Sequence, residues 1–268
     1  MNIGLLIIGD EILSGKRADK HLPKVIELLA ARGLGLAWAR YVGDDPGRIT
    51  ADLEDAFASG DLVFSCGGIG ATPDDHTRQC AAAALGVPLA LHPQARDFVI
   101  ERMKDVAREN GTTFDPDRED NRHRLDMAVF PAGAEIIPNP YNKIAGFAVR
   151  SGDGGVFFVP GFPVMAWPMI EWVLDTHFRH LHVALSTQER SVIVFGAMEA
   201  ALTPLMEAIE REFAGVKVFS LPSVDHPDWG RHIELGVKGN AALLATAYGR
   251  LREGLERAGA KLGPELVR

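Results

Sequence analysis

Three short segments of the sequence combine glycine or proline turns with side chains that could do chemistry. The richest is Cys66-Gly67-Gly68-Ile69-Gly70-Ala71-Thr72-Pro73-Asp74-Asp75-His76-Thr77, set between a buried-strand pattern and a helical one. Glycines at such a junction let backbone N–H groups approach an anion, and the N-terminus of the following helix favours negative charge. Phosphate is the natural guest. The spacing is not a GxGxxG dinucleotide fingerprint, because Pro73 stands where the last glycine belongs. Nor is it a Walker loop, because no Gly-Lys-Ser/Thr follows. A purely structural reading competes: Thr72 caps a helix over residues 74–85, Pro73 takes its first position and Asp75 closes a capping box. Capping leaves Gly67, Gly68 and Gly70 unexplained.

The second segment is Asp44-Asp45-Pro46. Asp45, directly before proline, is placed as an N-cap, which leaves Asp44 as the freer carboxylate. Carboxylates converging on a phosphate loop suit a hard cation such as Mg²⁺, which takes one or two carboxylates and completes its shell with phosphate oxygens and water. The alternative for Asp44 is a solvated turn. In the third segment, Gly9-Asp10-Glu11, the acidic pair precedes a helix and could also serve only its dipole.

The elements that must position these loops follow from hydrophobic periodicity. Residues 3–8 form an almost unbroken apolar run, as in a strand buried on both faces of a parallel sheet. A helix over 19–32, a strand over 34–42, a helix over 46–59 and a strand over 61–66 follow, so all three segments fall at the carboxyl ends of strands. A helix is expected over 93–110, then an exposed charged turn region over 114–124. Short strands over 134–138, 145–150 and 156–159 add an antiparallel edge, and a helix over 167–181 closes the domain. From residue 186 the order becomes strand 191–195, helix 199–213, strands 216–221 and 231–237, and helix 241–258, a small ferredoxin-like α+β unit. The expected domains are 1–182 and 186–268.

With these residues in place, a resemblance is specific. The run Gly9-Asp10-Glu11-Ile12-Leu13-Ser14-Gly15, then Val42-Gly43-Asp44-Asp45-Pro46, then the run from Gly67 to Asp75 resemble the molybdopterin-binding domain shared by MoaB, Mog and the N-terminal part of CinA. Asn121, Pro138-Asn139-Pro140 before Gly146-Phe147, and Val159-Pro160-Gly161-Phe162-Pro163 are similar to later CinA-type signatures, so the likeness reaches about Trp172. The small domain resembles the CinA middle module.

The resemblance implies a three-layer α/β fold with a mostly parallel sheet, and a nucleotide or pterin site that uses a divalent metal, Mg²⁺ or similar. Mog-type members transfer an adenylyl group; CinA-type members cleave a dinucleotide pyrophosphate of the ADP-ribose kind. A non-catalytic pterin- or nucleotide-binding module is the third reading. Carried over by residue, it puts the phosphate cradle at Gly67, Gly68, Gly70 and Thr72 and the metal-holding, catalytic carboxylates at Asp44 and Asp75. Gly9, Asp10, Glu11, Asp74 and Asn121 would line the same cleft. Two departures bear on the substrate: Asp19-Lys20-His21 replaces an Asp-Thr-Asn stretch, and Tyr141-Asn142-Lys143-Ile144-Ala145-Gly146 replaces a glycine-threonine-rich turn. Lys143 there meets a phosphate or is a solvated loop lysine. The chain ends where a CinA amidase domain would begin, so nicotinamide-nucleotide deamidation is not expected.

Composition bounds the rest. The chain has 268 residues, 47% of them hydrophobic and 24% charged, with 28 basic against 36 acidic side chains and a net charge of −8. That balance argues against a nucleic-acid or anionic-membrane surface. No apolar run reaches the roughly 18–20 residues of a membrane span, and a cytoplasmic location is expected. Cys66 and Cys80, the two cysteines, suit neither a CxxC pair nor zinc and read as reduced and structural. His177, His180 and His182 lack the spacing of a zinc helix. Apolar Val216, Val218 and Phe219 leave association with a second copy as an open expectation.

Overall fold

The computed structural model describes residues 1–183 and 187–267. Two compact units divide the chain, Met1–His182 and Val183–Arg268. The expected domain start at residue 186 lies outside the described residues.

In the first unit, β1 (Ile3–Ile8) sends Leu5 and Ile7 into one core and Leu6 and Ile8 into another. Strand side chains alternate between sheet faces, so an unbroken apolar run marks a strand covered on both. Each such fully buried leucine or isoleucine contributes about 2 kcal/mol relative to exposure. Next come α1 (Asp10–Leu13), α2 (His21–Ala30), β2 (Trp38–Val42), α3 (Pro46–Ser59), β3 (Leu62–Cys66) and α4 (Thr77–Leu85). They are followed by β4 (Leu89–Leu91), α5 (Pro93–Glu109), α6 (Glu119–Leu125), β5 (Val129–Pro131) and β6 (Glu135–Ile137). The unit closes with β7 (Gly146–Ser151), β8 (Gly154–Val159) and α7 (Pro163–His177).

The main sheet has the order β2-β1-β3-β8-β7-β6. Strands β2, β1, β3 and β8 are parallel, and β7 and β6 add the antiparallel edge. Val25 and Leu29 of α2 with Ile170 and Val173 of α7 cover one face. Ile49 and Leu53 of α3, Cys80 and Ala81 of α4, and Val99 and Met103 of α5 cover the other. This is the three-layer α/β arrangement with a mostly parallel sheet. Both cysteines are free and buried within it.

Four local expectations are corrected. The helix after the glycine loop begins at Thr77 rather than 74, with His76 at its cap and no side-chain capping bond. The charged region over 114–124 is not all turn: α6 forms there, with Glu119 and Asp120 in its first turn and Arg122, His123 and Arg124 in its last, charges that complement the helix dipole. The last helix runs over Pro163–His177, starting on a proline, which suits a first helical turn. A small antiparallel pair, β4 with β5, was not anticipated from the sequence.

The second unit runs β9 (Thr187–Phe195), α8 (Glu199–Glu212), β10 (Lys217–His226), β11 (Gly230–Asn240), α9 (Ala241–Arg257) and β12 (Lys261–Val267). Its antiparallel sheet has the order β10-β11-β9-β12, the ferredoxin-like arrangement. Val192, Val194, Leu235 and Val237 pack under Leu202 and Ile209 of α8 and Leu244 and Leu251 of α9. Of the three residues expected at a self-association surface, Val216 lies in this core, Val218 packs half-buried against it, and Phe219 is half-buried on β10. Among the described residues no helix is long and apolar enough to cross a membrane.

Candidate functional site

The four parallel strands of the main sheet end on one edge, where open α/β sheets bind ligands. β1 leads into Gly9-Asp10-Glu11, β2 into Gly43-Asp44-Asp45, β3 into the glycine loop, and β8 into Pro160-Gly161-Phe162. A cleft of about 750 Å³ opens there, within the usual range for small-molecule sites. Gly9, Glu11, Asp44, Gly67, Gly68, Gly70, Thr72, Asp74 and Asp75 all line it. Asp10 does not line it and stands behind Asp44.

The glycine loop is built by its own contacts. Gly67 has φ +110°, and a Cβ there would meet the Ile8 carbonyl; Gly68 has φ +69°, and a Cβ would meet the Thr77 hydroxyl. Only glycine adopts these conformations at this proximity without strain. Asp75 folds back on the loop: Oδ1 accepts from Gly70 N at 2.8 Å, and Oδ2 from Thr72 N at 2.8 Å and Thr72 Oγ1 at 2.6 Å. The Thr72–Asp75 pairing expected of a capping box therefore exists, but on a turn that precedes the helix. Gly67 N donates to the Val159 carbonyl at 3.0 Å. Three of the four expected cradle amides, those of Gly67, Gly70 and Thr72, are thus already engaged. The N–H groups of Gly68, Ile69 and Ala71 have no hydrogen-bond partner among the described residues.

Arg78, which the sequence did not single out, locks the loop from beneath. The residue is 4% exposed, and its guanidinium donates to the carbonyls of Ile69 at 2.9 Å and Gly70 at 2.7 Å. Burial pushes it below its ordinary pKa, while the Asp75 charge acts to restore it. A cation in a helix's first turn opposes the dipole, and that mismatch was the available signal.

At the acidic wall, Asp45 caps α3 by accepting from Arg48 N at 2.8 Å, with Pro46 at the first helical position. Asp44 is accordingly free of capping. Its Oδ2 accepts from Asp10 N at 2.9 Å, and Asp10 Oδ1 accepts from Asp44 N at 3.1 Å. Burial raises the Asp44 carboxyl above its ordinary value, the Asp10 N–H opposes this, and the charges of Asp10, Glu11 and Asp74 raise it further. Among the described residues no three His, Cys, Asp or Glu side chains are arranged to hold a metal ion by themselves. The donor set fits an ion that brings phosphate oxygens and water with it, centred on Asp44, where it would offset crowded negative charge.

Two residues predicted for the cleft lie elsewhere. Asn121 is buried on α6, donating to the Asp115 carbonyl at 2.7 Å and accepting from Arg124 at 2.8 Å. Lys143 turns to α5, with Nζ 2.9 Å from Asp105 and 3.2 Å from Glu101. Those two carboxylates hold its ammonium above its ordinary pKa, and Lys143 is ion-paired on α5 rather than among the residues that line the cleft. Asn142 and Ile144 line the cleft in its place. The sequence reading also passed over Lys16 and Arg17, which line the cleft and have no carboxylate partner among the described residues. An adjacent basic pair following an acidic turn was the available signal. Of the Asp19-Lys20-His21 departure, Asp19 accepts from His21 N and Leu22 N to start α2, and from Tyr41 Oη at 2.8 Å.

The family described as "Probable molybdopterin binding domain" matches residues 4–180. The chain belongs to that family. A CinA-like protein of Anaeromyxobacter dehalogenans is 37% identical to this molybdopterin-binding-domain protein over 175 residues, 65% of this chain and 40% of the relative. A CinA-like protein of Citrifermentans bemidjiense is 33% identical over 218 residues, covering 81% of this chain and 50% of the relative. The chain spans about half the length of the curated relatives it matches or less. The crystal structure of CinA from Thermoplasma acidophilum, a protein described there as of unknown function, superposes with a TM-score of 0.56 at 24% identity, covering 65% of this chain and 98% of that one. That likeness concerns the fold. Within that family the chain is similar to CinA-like proteins.

Proposed function

We propose that the cleft hydrolyses the phosphoanhydride of a dinucleotide-type diphosphate such as ADP-ribose, with a divalent cation. The observation that supports this most is one cleft lined by the carboxylates of Glu11, Asp44 and Asp74, the amides of Gly68, Ile69 and Ala71, which have no hydrogen-bond partner among the described residues, and the cations of Lys16 and Arg17, which have no carboxylate partner among them. Lys16 binds the diphosphate anion, with Arg17 beside it adding positive charge to the cleft. The loop amides, held rigid by Asp75 and Arg78, meet charge that develops on the phosphoryl oxygens. Asp44, with Glu11 and Asp74, would hold the cation, while Asp75 acts on it through the loop. Such a cation, when bound, supplies Lewis-acid charge neutralisation and activation of water. Water adds to one phosphorus and the anhydride oxygen leaves with the other half, giving AMP and ribose 5-phosphate.

The family description favours one second reading, in which a pterin phosphate replaces water as the acceptor of an adenylyl group from ATP. Incubation with ADP-ribose, or with ATP and a pterin phosphate, each with and without Mg²⁺, followed by chromatography, separates the two. Metal-dependent AMP and ribose 5-phosphate support hydrolysis. Pyrophosphate released from ATP only with the pterin supports transfer. Tight binding without turnover in either arm overturns both and leaves a binding module.

A further inference from the structure

We propose that Phe162 and Arg17 form a shelf that grips a planar heteroaromatic ring of the ligand, and that His21 is the positioning residue that sets it. The inference rests on reading the cleft as a nucleotide site and names how the base is recognised. Phe162 is 56% exposed, although the core-facing residues of α7 begin only at Ala166. It lines both the main cleft and an adjoining recess of about 340 Å³ formed with Ile12, Lys20 and His21. The Arg17 guanidinium lies 5.9 Å from its ring centroid, within reach of a cation–π contact. An aromatic face beside a guanidinium, on the rim of a cleft with phosphate-binding donors, is how proteins stack a base without reading its edges.

The shelf is fixed from behind. Phe162 precedes Pro163, which restricts it to the extended conformation it adopts, φ −87° and ψ 120°. Its carbonyl accepts from Met165 N at 3.0 Å and Ala166 N at 2.9 Å. One residue earlier, the Gly161 carbonyl faces His21 Nε2 at 2.9 Å. A carbonyl only accepts, so Nε2 carries the hydrogen. His21 is 4% exposed and its Nδ1 has no partner among the described residues, a cost that an apolar residue of similar size would avoid. What the imidazole adds is an N–H donated to the backbone that carries Phe162.

Isothermal titration of AMP and of ribose 5-phosphate tests the shelf, because the two share a phosphorylated ribose and differ in the base. Phe162→Ala is expected to weaken AMP roughly 5- to 50-fold and leave ribose 5-phosphate unchanged, with Phe162→Tyr near wild type. His21→Ala should give a smaller loss, again selective for AMP, and His21→Gln, which keeps an N–H at the same reach, should restore it. Equal losses for both ligands, or none for AMP in Phe162→Ala, would overturn the shelf while leaving the phosphate reading intact. Wild-type protein that binds neither ligand would overturn both. Phe162 is exposed, so its variants fold even if His21→Ala does not.

Discussion

Asp10 and Asp44 exchange hydrogen bonds, each carboxylate accepting the other's backbone N–H, so two strand-end loops are clasped by groups of like charge. Two anions this close repel, and the clasp holds because each also meets an amide dipole. Asp44→Asn keeps an acceptor for Asp10 N and removes a charge from the crowded wall. Without divalent cation its melting temperature should equal or exceed that of wild type, while stabilisation by added Mg²⁺ shrinks and turnover falls roughly 100-fold. A calorimetric scan with and without Mg²⁺ checks this. An undiminished Mg²⁺ shift would remove Asp44 from the metal site.

Asp75 is expected to behave differently. Asp75→Asn exchanges one accepting oxygen for a donor, leaving Gly70 N or the Thr72 donors unmatched beside Arg78. Stability should fall by roughly 1–2 kcal/mol with or without metal, and turnover should fall as the loop loosens. Urea denaturation compared between Asp75→Asn and Asp44→Asn reads the contrast. A stabilised Asp75→Asn would contradict its role as a brace.

Gly68→Ala combines a left-handed backbone with a Cβ driven onto the Thr77 hydroxyl, which itself donates to the Gly67 carbonyl at 3.1 Å. A loss of about 2 kcal/mol or more is expected. Gly60→Ala has the same φ of +69° with open space around it and should lose only about 1 kcal/mol. Chemical denaturation of the pair isolates the steric part. Equal losses would show that the loop yields.

His177 titrates against the fold. Burial lowers its pKa below 6.5, the nearby Arg150 adds to that, and Glu135 opposes it. A histidine with a lowered folded pKa binds fewer protons than the unfolded chain, so its contribution is intact above about pH 6.5 and is lost as pH falls towards the lowered value. The urea midpoint should therefore drop from about pH 7.5 to about pH 5, and His177→Phe, within reach of Trp172 and Phe157, should flatten that part of the profile. An unchanged slope in the variant would assign the drop to other groups.

Much of this was legible in the sequence because the relevant signals are local. Residues 3–8 could be read as a doubly covered strand, and Asp45-Pro46 as a cap, from neighbours alone. β12 was not legible because Gly263 and Pro264 interrupt its pattern; it is an edge strand with a register shift between Leu262 and Glu265, where such residues are tolerated. The cleft followed the three acidic and glycine turns, yet of its unpartnered amides only that of Gly68 was among the expected cradle positions. Which N–H groups remain unpartnered depends on where Asp75 and Arg78 fold back, and spacing does not encode that. Asn121 and Lys143 were misplaced for the same reason: their partners, Asp115, Asp105 and Glu101, are set by tertiary packing.

Because β8 runs parallel to β3 and β7 returns antiparallel, the turn joining them, at Gly152 and Asp153, lies on the sheet edge opposite the cleft. Both residues are exposed, and because Gly152 holds the left-handed turn position at φ +58°, Asp153 is the one suited to carry an added group. That turn is therefore the natural attachment point for a fluorophore or an immobilisation tag. A label there lies on the sheet edge away from the proposed cleft, whereas one on the loops after β1, β2, β3 or β8 would sit beside it.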